Sequence, residues 1–251
     1  MPKPYEREGA DRSAKAKLRL WTLHLWRQAT VVELFAGAGS LSQLYAPHCE
    51  KLICIEKDEA TFHQLTKTVK APPAELRCMD NLDFLDTVGD IPDVSFVDFD
   101  AYGCPNLQIQ KFFEQYPVER AIMVNVTDGT LFNLSRTVNI DLNKYFLVNL
   151  YPIGRLSHDD YASKRALRRV LPWLQEHFIH LLAAKHGFNT LFLYHAMNRA
   201  ANVTYYGFIA FPEIHVDLMA FGKTPITRFR KDRESLVKTL MKTRKTSRAR
   251  R

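Results

Sequence analysis

The segment Glu33-Leu34-Phe35-Ala36-Gly37-Ala38-Gly39-Ser40-Leu41-Ser42 follows the β-branched pair Val31-Val32 without a break. A strand that runs into small residues and two glycines before a helical stretch sets a tight strand-to-helix turn. There the backbone can approach a ligand closely and offer it helix N-terminal amides. The pattern is shorter than the G-x-G-x-x-G dinucleotide fingerprint and lacks the lysine of a phosphate loop. Taken alone, it leaves a turn without a ligand open. The rest of the chain continues the same alternation. Short apolar runs at Val31–Phe35, Leu52–Ile55, Val94–Val97, Ala121–Val126 and Thr190–Leu193 read as buried strands, with amphipathic segments such as Glu59–Val69 and Leu107–Tyr116 between them. This predicts an α/β fold with a mainly parallel sheet flanked by helices and joined by right-handed crossovers. Val203–Phe211 reads as an added strand near the sheet end, and Asp159–Gly187 as one or two helices.

The 251 residues suit one catalytic-size domain. No apolar run reaches the roughly 18 residues of a membrane span, and Met1–Leu20 lacks the apolar core of a secretory signal. Cys49, Cys54, Cys78 and Cys104 include no C-x-x-C pair, so neither a zinc site nor a disulfide framework is expected, and the expected compartment is the cytoplasm. The net charge of +8 is unevenly spread: Gly222–Arg251 holds twelve Lys or Arg against two acids, a net +10, which leaves residues 1–221 at −2. Such a run is expected to be flexible and to grip a polyanion, with mere solubilisation as the alternative. Three regions follow: a basic amphipathic helical segment at 1–29, a catalytic domain at 30–221 and a basic nucleic-acid-binding tail at 222–251. In the first, Lys15, Lys17, Arg19 and Arg27 alternate with Leu18, Leu20, Trp21, Leu25 and Trp26, as expected of a helix that covers a pocket and leaves its basic side to phosphate.

Glu56 closes the run Ile53-Cys54-Ile55, seventeen positions after Gly39. In open α/β sheets an acid at the end of the second strand accepts hydrogen bonds from ribose hydroxyls at the switch point. A dehydrogenase would satisfy the turn and this acid equally. Asp80, in Cys78-Met79-Asp80-Asn81, stands where a third-strand acid can bind an adenine amine. The fourth motif is Asp98-Phe99-Asp100-Ala101-Tyr102-Gly103-Cys104-Pro105, after the apolar Val94–Val97. A carboxylate there can accept a hydrogen bond from an amine, the Tyr ring offers a face on which a base stacks, and Gly-x-Pro turns the chain away. Two Asp at i and i+2 share one face of a strand, where their repulsion invites a functional explanation; a helix cap and a turn are the alternative.

This order of motifs resembles the class I S-adenosylmethionine (SAM) dependent methyltransferases. The run Asp98-x-Asp100-x-Tyr102-Gly103-x-Pro105, with Val124-Asn125-Val126-Thr127-Asp128 about twenty residues on, is similar to the tRNA (guanine-N2) dimethyltransferase family. That family carries Asp-x-Asp-Pro-Phe/Tyr-Gly-Ser-Pro and then Val-Thr-Ala-Thr-Asp. The helix holding Glu176-His177 and Ala-Ala-Lys-His up to His186 adds to the likeness, which runs patchily from Val94 to Phe211. Ala101 and Cys104 depart from it, and no counterpart of the family's C-terminal domain is expected within these residues.

The resemblance implies a Rossmann-like class I methyltransferase fold, with a mostly parallel seven-stranded sheet, and SAM as cofactor. Glu33, Phe35, Gly37, Gly39, Glu56, Asp80 and Asp98 would hold SAM. Asp98, Asp100 and Tyr102 would be catalytic, and Pro105, Thr127 and Asp128 would border the substrate. The partner would be nucleic acid, structured RNA such as tRNA or rRNA, with guanine N2 of tRNA as the single best substrate. A DNA amino-methyltransferase and a catalytically silent RNA-binding protein of the same fold are the rivals. Cys104 is read as a packed thiol rather than a nucleophile, because cytosine C5 chemistry uses a Pro-Cys order. His177, His180 and His186 are read as ordinary helix histidines, with no metal expected.

Overall fold

The apolar runs become strands because alternate side chains bury on both faces of one sheet. The computed structural model describes residues 10–25, 30–70, 74–134, 140–142, 146, 155–156, 161–198 and 202–212. The tail expected at 222–251, and Trp26 and Arg27 of the N-terminal segment, lie outside the described residues. In chain order the elements are helix α1 (Ala10–Leu25), β1 (Thr30–Leu34), α2 (Ser42–Tyr45), β2 (Lys51–Glu56), α3 (Glu59–Thr68), β3 (Ala74–Cys78), α4 (Asn81–Leu85) and β4 (Val94–Asp100). They continue with α5 (Asn106–Gln115), β5 (Ile122–Asp128), α6 (Thr130–Leu134), the short strands β6 (Ile140–Asp141) and β7 (Arg155–Leu156), α7 (Tyr161–Lys185), β8 (Phe188–Asn198) and β9 (Val203–Pro212). The stretch Asp159–Gly187 thus contains one helix, with Pro172 inside it.

Seven strands form one sheet in the order β3-β2-β1-β4-β5-β9-β8, and β6 pairs with β7 apart from it. Strands β1 to β5 pair in parallel, whereas β9 runs antiparallel between β5 and β8. The chain moves outward from β1 to β3 and returns to the other side of β1 at β4. In open α/β sheets ligands bind at such a reversal, which here falls at the carboxyl ends of β1 and β4.

The two-residue period divides the sheet faces. Val32, Leu34, Val97, Phe99, Val124, Val126 and Phe208 pack with α4, α5 and α7 in the main core. The intervening residues Glu33, Asp98, Asn125 and Gly207 stand side by side across β1, β4, β5 and β9, on the opposite face. That face is met by Arg19 and Thr22 of α1 and by Ser42 and Tyr45 of α2. The compact unit runs from Lys15 to Pro212, so it reaches back into α1.

Candidate active site

At the end of β1 the backbone turns through the left-handed region at Phe35 (φ 60), Gly37 (φ 58) and Gly39 (φ 88). Glycine adopts this freely, but at Phe35 it stores strain of about 1–3 kcal/mol. The turn is held from outside. Phe35 N donates to Asn81 Oδ1 at 3.4 Å, and Gly37 N donates to Glu56 Oε2 at 3.0 Å. The other oxygen of Glu56 accepts from Asp58 N at 2.8 Å. Glu56 therefore ties the end of β2 to the turn, and each carboxylate oxygen keeps a second lone pair. A Cβ on Gly39 would press on Leu65, Val69 and Thr68 of the α3 region, whereas one on Gly37 would meet nothing nearer than 4.0 Å. Space is thus open beside Gly37. Asp80 caps α4, accepting from Leu82 N at 2.8 Å, and forms an exposed pair with Lys57 at 3.5 Å. Glu33 is buried and accepts from Ser42 Oγ at 2.5 Å. Burial holds its carboxyl well above the usual carboxylate range, against the pull of Ser42. Glu33 supports the turn from within the sheet.

The two acids of β4 meet two cations of α1. Asp98 is wholly buried; Arg19 donates from Nε to its Oδ2 at 3.0 Å, and Arg19 Nη2 lies 2.9 Å from Oδ1 as an ion-pair contact. The Tyr45 hydroxyl also donates to Asp98. Arg19 donates further to Tyr194 Oη at 2.6 Å and to Thr127 Oγ1 at 3.0 Å, and Tyr194 in turn donates to Asn125 Oδ1 at 2.6 Å. Asp98 thus differs from the expectation that it touches cofactor or acceptor: no surface reaches it, and its Oδ2 is held by Arg19 and Tyr45, while Oδ1 accepts no hydrogen bond among the described residues. Arg19 likewise faces inward rather than toward phosphate. A pair of carboxylates beneath a helix calls for counter-charge, and Arg19 supplies it.

Asp100, two residues further, keeps 18% of its side chain exposed and is paired by Lys15 Nζ. Burial pushes its carboxyl up, but the Lys15 ammonium, then Arg19 and a bond from Thr127, outweigh this and hold it below the ordinary range. Tyr102 is 56% exposed, with its ring edge-on to Phe132 of α6 at 5.2 Å. Its loop docks onto the end of β5: Gly129 N donates to Gly103 O at 2.8 Å, and a Cβ on Gly129 would collide with the Tyr102 carbonyl. Pro105 is buried at the start of α5 and so offers no surface to a substrate. Cys104 is raised by burial well above the thiol range, as a packed thiol would be.

Thr127 lies beside Asp100 across β4 and β5, on the α1 face, whereas Asp128 points to the opposite face. There Asp128 Oδ1 accepts from Thr130 N at 2.7 Å and Oδ2 from Gln175 Nε2 at 2.6 Å. Gln175 also donates to Thr204 Oγ1 at 2.8 Å, which spends both of its amide hydrogens. Its Oε1 must then accept from His195 Nε2, at 2.7 Å. Asp128 is therefore a buried cap and bridge rather than a pocket wall.

The fold thus brings the Phe35–Gly39 turn, Glu56, Asp80, Asp100, Tyr102 and Thr127 to one sheet edge, and it encloses Glu33, Asp98, Pro105 and Asp128. Sequence reasoning missed Lys15, Tyr45, Asn81, Asn125 and Tyr194. Asn81 and Asn125 stood inside quoted motifs but carried no role there, and Lys15 was read only as a cation of the N-terminal helix; Tyr45 and Tyr194 reach the site through tertiary contacts.

No family profile and no curated protein sequence matches the chain. Solved structures do. Trm1 from Pyrococcus horikoshii, crystallised with S-adenosyl-L-methionine, superposes with a TM-score of 0.60 at 11% identity, covering 81% of this chain and 56% of that one. The P. horikoshii protein PH0793 gives 0.52 at 18% identity, covering 79% and 64%. TYW2 from M. jannaschii, in complex with AdoMet, gives 0.51 at 14%, covering 78% and 74%. The chain spans less than two thirds of the length of the first two. The sheet order, the antiparallel β9 and these superpositions agree: the chain has the Rossmann-like fold of the class I SAM-dependent methyltransferases.

Proposed function

We propose that the protein is a SAM-dependent methyltransferase acting on a base nitrogen in RNA, with guanine N2 of tRNA as the best single substrate. One observation carries the reading: a partly open carboxylate, Asp100, and an exposed ring, Tyr102, stand together at the sheet edge that also holds the glycine turn and Glu56. The turn suits the cofactor, with open space beside Gly37, the free lone pairs of Glu56 for ribose hydroxyls, and Asp80 for an adenine amine. When bound there, SAM supplies an electrophilic methyl. The protein's part is then positioning. Tyr102 stacks the base, and the ionised Asp100 accepts a hydrogen bond from its amine, aims the nitrogen lone pair and takes up the proton. Lys15 keeps Asp100 ionised. A paired base hides its edge, so the nucleotide must be unpaired or flipped out. The basic tail at 222–251 would add sequence-independent affinity.

One feature favours a second reading. Both β4 acids already have cationic partners in α1, as suits a silent RNA-binding protein that keeps the fold. The test is mass spectrometry of nucleosides after incubating unmodified RNA with the protein and labelled SAM. A labelled N2-methylguanosine is expected; a label in DNA alone would favour the DNA rival, and no label the silent one. Asp100→Ala should slow transfer by about 10²- to 10⁴-fold while SAM binding persists. Tyr102→Ala should weaken RNA engagement by about 1–3 kcal/mol, and Tyr102→Phe should be mild because the ring face is used.

A further inference from the structure

One side of α7 carries charge and aromatic surface that the proposed reaction does not use. Arg165, Arg169, Trp173 and His177 recur every four residues, so they form one ridge along the helix. All four are exposed, Trp173 at 61%, and its indole lies flat against the His177 imidazole, with ring centres 5.1 Å apart and planes 8° from parallel. Beside them Arg168, also exposed, donates to Asn202 Oδ1 at 2.7 Å. Among the described residues, no carboxylate pairs with Arg165, Arg168 or Arg169. Among the described residues, Arg165, Arg168, Arg169 and Met197 line a cavity of about 270 Å³. Like charges gathered round a hollow repel one another, and an anion placed among them relieves that repulsion.

Its location ties the cavity to the candidate site. Met197 sits across from Thr204, and Thr204 across from Asp128, the last residue of β5. The preceding residue of β5, Thr127, sits across from Asp100 on β4. At about 4.8 Å per strand, three strand spacings separate Met197 from the end of β4, roughly 14 Å along the same edge of the sheet. Between them lies α6, whose Phe132 supports Tyr102.

We propose that this ridge is an RNA docking site, gripping the strand next to the nucleotide presented at Tyr102. The guanidiniums of Arg165, Arg168 and Arg169 take phosphate oxygens as planar forks, and the Trp173 indole stacks a neighbouring base. The proposal deepens the RNA methyltransferase reading and rests on it.

The test uses the full chain and an in vitro transcribed, unmodified tRNA. Its affinity is measured across salt concentrations, alongside methyl incorporation and SAM calorimetry. The triple variant Arg165→Ala, Arg168→Gln, Arg169→Ala should bind this RNA about 10- to 100-fold more weakly and lose about 2 to 3 from the salt slope, as expected for that many phosphate contacts. Trp173→Ala should weaken binding about 5- to 100-fold with the slope kept. SAM binding should not change in either. A triple Arg→Lys variant should keep the slope, which separates a lost charge from a damaged helix. Parental affinity and slope in the alanine-glutamine variant, with methylation intact, would overturn the docking site and leave the enzyme reading standing. RNA binding that depends on the ridge, without any methyl transfer, would uphold the site and sink the enzyme reading. A parent protein that binds no RNA would overturn both.

Discussion

Arg19 decides more of this molecule than any glycine in the first motif. Its fully buried guanidinium joins α1 to β4, β5 and β8 through Asp98, Thr127 and Tyr194. Removing one partner of such a pair strands the other charge in a dry interior, at a cost of about 3–5 kcal/mol. Arg19→Met should therefore lower the unfolding free energy by that amount in urea titration. Pairing it with Asp98→Leu should restore much of the loss, since the double variant buries no lone charge at this pair. A single Arg19→Met that unfolds at the parental midpoint would refute the wedge. In the sequence Arg19 reads as one more cation on a basic helix. The available clue was the Asp-x-Asp of β4, which demanded counter-charge without saying from where.

Among the elements, β8 shows how one irregularity builds a site wall. Phe192 pairs with Phe208 but Tyr194 pairs with Gly207, so Leu193 is an extra residue in the ladder. Without this bulge Phe192 and Tyr194 would share a face. With it Phe192 packs into the main core, and Tyr194 turns to the opposite face and meets Arg19. Gly207 completes the arrangement, because a Cβ there would overlap the Tyr194 ring and come within 2.9 Å of Asn125 Oδ1. Gly207→Ala should cost about 1–3 kcal/mol by overpacking, seen as a lower melting temperature. In a Tyr194→Ala background the same substitution should cost clearly less, because the two sites couple through contact. Equal cost in both backgrounds would mean the ring is not what Gly207 accommodates.

For the molecule as a whole, two faces of one sheet do different work. The α1 face gathers the network of paired charges, and the α7 face hides a hydrogen-bonded network without a cationic partner among the described residues, through Asp128, Gln175, Thr204 and His195. Burial lowers His195 to about 4. In the unfolded chain the imidazole takes its proton near pH 6.5, whereas in the fold it stays neutral until about pH 4. Its contribution is therefore complete above pH 6.5 and falls away on acidification, by about 3 kcal/mol between pH 6.5 and 4. Denaturant midpoints measured across that window should drop accordingly. His195→Phe, which keeps a ring against Tyr206, should be less stable at pH 7 but should flatten the slope. An unchanged slope would place the acid sensitivity elsewhere.

By itself the sequence determined the elements and the glycine turn at the end of the first strand. Period-two apolar runs, glycines at a strand-to-helix turn and acids at strand ends are local signals, and each is set by backbone geometry within a few residues. Glu56, Asp100, Tyr102 and the turn accordingly stand where their spacing placed them. Tertiary structure decided which of the motif acids stay open. Asp98 and Asp100 are equivalent in the sequence, yet Arg19 seals one and Lys15 only flanks the other, because the Arg19–Asp98 pair is fully buried whereas Lys15, one helical turn earlier, meets Asp100 where solvent still reaches both. Asp128 is turned away by the alternation of β5 and claimed by Gln175 from 47 residues along the chain. Burial and long-range pairing govern whether a carboxylate is a ligand or a girder, and both depend on neighbours that no local pattern names.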